Sequence, residues 1–178
     1  MIITKTQLPA HSILKTNGVK YDYVDSYQGQ FLDESRKIEI LEIGKSFFSS
    51  SPKWIDTLFE FRNKVVGILG LKTSGNEVDR QEMLANFRCE KGEQLGLFRV
   101  YEKTTNEIIL GEDDKHLNFR VSLFLEEGTS DMKHRILTIS TAVTFNHWFG
   151  RIYFLPVRPF HSLIVPTMLK GIIHNIEK

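Results

Sequence analysis

The chain has 178 residues, with 23 basic against 22 acidic side chains, 13 phenylalanines and one cysteine. That length suits a single domain, 1–178, which should bury roughly 70% of its unfolded surface and so hold a core without staples. The balanced charge argues against nucleic acid as a partner, and the lone Cys89 excludes an intramolecular disulfide and any multi-cysteine zinc site.

The N-terminus, MIITKTQLPAHSILK, has no continuous apolar run and does not read as a secretory signal. The first predicted element is a strand in KYDYVDSYQG, residues 20–29, which is aromatic and alternating. DESRKIEILEIGKSFF then places Ile38, Leu41 and Phe48 near helical spacing, although Gly44 weakens that helix. A second helix is predicted from Ser51 as N-cap and Pro52 at the first position, with Trp54, Ile55, Leu58, Phe59, Val65, Val66 and Leu69 on one face. EVDRQEMLANF is predicted as a short helix.

After that the period changes to two. LGLFRVYE and NEIILGE read as strands around the turn KTTN. In HLNFRVSLFL, Leu117, Phe119, Val121, Leu123 and Leu125 share a face, with His116, Asn118 and Arg120 opposite. In ILTISTAVTF, Leu137, Ile139, Thr141, Val143 and Phe145 share a face, with Thr138, Ser140, Ala142 and Thr144 opposite. Such alternation marks antiparallel strands with one buried side. NHWFG reads as a turn and RIYFLPV as a last strand. A helix is predicted over 159–176, kinked at Pro166, and so apolar all round that most of its surface should be covered. Arg151, Arg158, His161 and three prolines interrupt this apolar end, so no membrane span is expected and the protein is read as cytoplasmic. The order predicts an α+β fold of the helix-grip type: a curved antiparallel sheet of five to seven strands wrapped around a long C-terminal helix, with a cavity between them.

Few motifs carry chemistry. GLKTSGNE has the glycine spacing of a phosphate loop, but Asn76 and Glu77 stand where Lys and Ser or Thr are needed. No two histidines stand three or four residues apart, so no metal and no cofactor is expected. Two polar clusters remain. In GEDDKHLNFR, His116 paired with Asp113 or Asp114 would make an acid–base couple and Arg120 an anion anchor; the plainer reading is an acidic turn entering a wet strand face. In RPFH, placed where the last strand enters the predicted helix, the cluster of Arg158 and His161 would bind an anion through the free N–H groups of the helix start; the plainer reading is a helix start with a satisfied histidine.

YDYVDSY, PKWIDTLFEFRNKVVGILGLK, GLFRVYE, ILGEDDKHLNFRVSL, TISTAVTFNHWFGRIYF and RPFHSLIVPTML together resemble a bacterial family known as domain of unknown function 2867. The resemblance implies START-like, helix-grip relatives, a group that includes lipid carriers, polyketide cyclases and ring hydroxylase subunits. Some relatives follow a Rossmann-type oxidoreductase-like module; no G-x-G-x-x-G occurs here, so no dehydrogenase activity is implied. Three functions are therefore expected to compete. The first is a binding protein for an apolar or amphipathic small molecule, with His116, Arg120, Arg158, His161, Ile164 and Met168 as candidate ligand contacts. The second is a subunit that docks a protein partner, such as an oxidoreductase. The third is a cyclase- or hydrolase-like enzyme using His116 or His161.

Overall fold

A computed structural model describes residues 1–50, 84–128 and 133–177. The helix predicted from Ser51 and the GLKTSGNE loop lie outside the described residues; of EVDRQEMLANF only the end is described, and 84–86 is helical.

Seven strands among the described residues form one curved antiparallel sheet: β1 (Ile3–Thr6), β2 (Tyr23–Leu32), β3 (Gln94–Leu95), β4 (Phe98–Lys103), β5 (Glu107–Asp113), β6 (Leu117–Glu127) and β7 (His134–Phe145). Their spatial order is β1-β2-β7-β6-β5-β4-β3. The meander β3 to β7 follows chain order, and β2 closes it by pairing with β7 along its whole length, from Tyr23↔Val143 to Leu32↔His134. Helical elements described along their whole length are the single turn α1 (Ile13–Thr16), α2 (Ile40–Ser49) and α3 (Trp148–Ile176).

The inner face carries Leu110, Val121, Leu123, Leu125, Leu137, Ile139 and Phe31, all buried in one core cluster. Helix α3 covers this face on its β1–β2–β7 side and α2 covers it on the β5–β6 side, with the two helices in contact. Ile40, Ile43, Gly44, Phe47 and Phe48 make the buried stripe of α2 at three- and four-residue steps. Gly44 weakens the helix but is needed there, because a Cβ would meet Cys89 Sγ at 2.6 Å and Ile108 Cδ1 at 2.8 Å.

Two expectations are corrected. RIYFLPV is not a strand: α3 begins at Trp148 and takes in NHWFG's end, RIYFLPV and all three prolines in one 29-residue helix. A short apolar run fits either period. The phase decides it here, since Phe154, Val165, Met168 and Ile172 are buried at helical steps. The second correction concerns cover. The C-terminal half of α3 is core, with Leu169, Ile172 and Ile173 fully buried, but its N-terminal half is not wrapped: Phe160 is 51% exposed and Leu163 is 64% exposed.

The outer face departs from simple alternation. Ser26, Ser122, Thr138, Ser140 and Ala142 are buried, so β7 is covered on both sides. The N-terminal segment packs there, with Leu14 against Ile109 and Ala142, flanked by Leu8, Ile13, Tyr21 and Tyr101. Glu107 clamps it. Ser12 Oγ donates to Glu107 Oε1 at 2.6 Å, Ser122 Oγ donates to the same oxygen at 2.5 Å, and the Ile13 amide donates to Oε2 at 2.7 Å.

Candidate ligand-binding site

Period two along β2 turns Tyr23, Asp25, Tyr27, Gly29 and Phe31 toward α3. Gly29 lets the helix come close, since a Cβ there would meet Ile173 Cδ1 and Ile3 Cδ1 at 2.6 Å. Farther along the strand the gap is filled by polar groups. Asp25 has a side chain only 2% exposed, yet its Oδ2 lies 3.1 Å from Nδ1 of His161 on α3. The Tyr23 hydroxyl donates to the same oxygen at 2.8 Å. A carboxylate can only accept, so His161 donates to it from Nδ1. Burial, reinforced by the hydrogen bond to Asp25 and its charge, pushes the Tyr23 phenol well above its usual range. It therefore stays a donor at any ordinary pH.

Packing orients the cluster. The Tyr23 ring meets Phe154 edge-on at 4.8 Å and His161 at 6.4 Å, and the Arg158 guanidinium stands over it at 5.4 Å. Such a cation–π contact, worth about 0.5–1 kcal/mol at an exposed site, holds Arg158 beside the pair. Ile164 packs half-buried against the core and Met168 is buried, three and seven residues beyond His161 on the same helix face.

Two atoms of this cluster lack partners. Asp25 Oδ1 and Thr141 Oγ1 are buried with no hydrogen bond. Asp25 and Thr141 are cross-strand neighbours in the β2–β7 register, so their side chains stand on the same face. Buried polar groups in proteins are almost always paired, and each unpaired one costs about 1–3 kcal/mol.

The candidate contacts therefore separate. Arg158, His161, Ile164 and Met168 are brought together. Arg120 lies on the outer face, where the acidic turn holds it: its guanidinium bonds Asp113 at 2.7 Å and the Phe119 carbonyl at 2.8 Å, and sits 3.6 Å over the Tyr101 ring. His116 occupies the turn before β6; its carbonyl accepts from the Asn146 amide at 3.0 Å and its ring packs on Phe149 at 5.1 Å. Phe149 and His161 are twelve residues apart on α3, about 18 Å of helix rise, so His116 and His161 do not share a site. Sequence reasoning missed Tyr23, Asp25 and Thr141. The signal was present in YDYVDSY, where a carboxylate falls in phase with Tyr23, Tyr27 and Phe31 on the strand's buried side.

A cleft of about 670 Å³ opens elsewhere, between α2 and the C-terminal end of α3, with Lys37, Glu42, Lys45 and Asn175 in its lining. Among the described residues no group of three or more His, Cys, Asp or Glu could hold a metal ion. No helix among them is long and apolar enough to cross a membrane.

The family model described as protein of unknown function (DUF2867) matches residues 19–168. The chain belongs to this family. The match takes in every residue of the Tyr23–Asp25–Thr141–His161 cluster, and Arg158, Ile164 and Met168 as well. Comparison with curated proteins and with solved structures finds no match.

Proposed function

We propose that this DUF2867 protein binds an amphipathic small molecule on the inner face of its sheet. The polar end sits at Asp25, Thr141 and His161, with Arg158 at the rim, and the apolar part lies against Ile164 and Met168. One observation carries the reading: a buried carboxylate on an otherwise apolar face, oriented by Tyr23 and His161, with Asp25 Oδ1 and Thr141 Oγ1 left unpaired beside it. A core built for stability alone would place aliphatic side chains there or pair the polar atoms fully. Burying a ligand's apolar surface is worth roughly 25 cal/mol per Å² before the costs of association.

The test is twofold. Native mass spectrometry of protein purified from its own host should show a retained small molecule. Nile red should bind the purified protein, and Ile164→Trp should abolish that binding without lowering the unfolding midpoint. Bound dye that ignores Ile164→Trp would place any ligand elsewhere and refute the reading.

One observation favours a second reading, an interaction subunit. Trp148, Ile152, Leu155, Phe160 and Leu163 are each more than half exposed and follow one another at helical steps. They form an apolar ridge about 22 Å long, of the kind that marks contact sites. The charged Arg151 and Arg158 of this segment turn aside, to Asp22 and Tyr23. An uncharged apolar ridge matches itself when two copies run antiparallel. A second copy of this chain is thus the occupant to test, by sedimentation of the wild type against Leu155→Glu. A monomeric wild type would set this reading aside.

A further inference from the structure

The unpaired atoms also specify the chemistry of the ligand's polar end, given the binding reading above. We infer that this end is a hydroxyl, so that the ligand is an amphipathic alcohol and not a carboxylate or an amine. Asp25 Oδ1 can only accept, so the missing partner must donate. Thr141 Oγ1 stands on the neighbouring strand of the same face and can donate as well as accept. A hydroxyl completes both: its proton goes to Asp25 and its oxygen takes the proton of Thr141. A carboxylate offers no proton and would bring a second negative charge against Asp25 in a buried setting. An ammonium would satisfy Asp25 and can donate to Thr141 Oγ1, but it has no lone pair to take the Thr141 proton.

The fixed neighbours keep this assignment from sliding. Asp25 Oδ2 is already taken by the Tyr23 hydroxyl and by His161 Nδ1. The incoming group therefore meets Oδ1 alone. Arg158 does not reverse the preference, because it is exposed and lies over the Tyr23 ring instead of at the carboxylate. The other buried carboxylates among the described residues are closed to a ligand. Glu107 accepts from three donors on both of its oxygens, and Asp33 is engaged by Arg135 and by the amides of Lys37 and Ile38.

The experiment uses three probes of equal chain length, 1-decanol, decanoate and decylamine, each displacing Nile red from the full chain. Decanol should bind at least about tenfold tighter than decanoate, the size expected of one hydrogen bond to a charged group, and tighter than decylamine. Asp25→Asn, whose amide can donate, should admit decanoate and shrink the preference. Thr141→Val should weaken decanol and leave decanoate unchanged, which keeps the test intact if Asp25→Asn folds poorly. Decanoate or decylamine binding as tightly as decanol to the wild type would overturn the inference while leaving the binding reading standing. A single water fixed between Asp25 and Thr141 that no probe displaces would overturn it as well. Failure of Nile red and all three probes to bind would instead sink the binding reading.

Discussion

Glu107 and Asp25 are both buried carboxylates on the same sheet, one on each face, and they are treated in opposite ways. Glu107 is 1% exposed and saturated: two serine hydroxyls and one amide close on it, and the three donors come from two separated stretches of chain. Asp25 is comparably buried but holds its donors on one oxygen only, and its other oxygen is unpaired, as is Thr141 Oγ1 on the neighbouring strand of the same face. Charge burial is expensive, so a structure that needs a carboxylate for architecture surrounds it. Asp25, left half open, is the carboxylate that the proposed binding reading uses.

The largest expected effect comes from the clamp. Glu107→Ala should cost about 3–5 kcal/mol in urea unfolding, because it strands Ser12, Ser122 and the Ile13 amide together. A loss below about 1 kcal/mol would mean the N-terminal segment is not anchored as described. Next comes the helix that carries the site. Ile172→Ala should cost about 2–5 kcal/mol, since Ile172 is fully buried, whereas Leu163→Ala, on the exposed ridge, should stay within about 0.5 kcal/mol. Equal losses at the two positions would contradict the division of α3 into a core half and an open half. Arg120→Ala should fall between, at about 1–2 kcal/mol, for a part-buried guanidinium that bonds two carbonyls and stacks on Tyr101. A loss under about 0.5 kcal/mol would return Arg120 to a merely wet strand face.

The architecture was legible where the period was long and clean. β6 and β7 were readable because five apolar residues alternate in the first and four, with Thr141, in the second; α2 was read as a helix from Ile38, Leu41 and Phe48, of which only Phe48 lies in the buried stripe. The start of α3 was not legible. Prolines 156 and 159 argue locally for a break, and only the packing of Phe154 on Tyr23 and Phe145 reveals the continuous helix. β1 and α1 were missed because four-residue elements carry no period of their own. At the site, His161 and Arg158 could be picked out as a polar interruption in an apolar run. Asp25 and Thr141 could not be placed beside them, because their meeting depends on β2 pairing with β7 across more than a hundred residues of chain. His116 and Arg120 stood out by composition, yet strand alternation puts Arg120 on the opposite face.

The effect expected at Thr141 is small but the most telling, because its sign is unusual for a core substitution. Thr141→Val keeps the shape of a buried side chain and removes a hydroxyl that has no hydrogen-bond partner. Urea unfolding of the wild type and Thr141→Val, without ligand, should show the variant more stable by about 1 kcal/mol, as expected when an unsatisfied buried hydroxyl is replaced by a methyl. A variant less stable by about 1 kcal/mol or more would mean that Thr141 is already paired, and that the half-open Asp25 site does not exist.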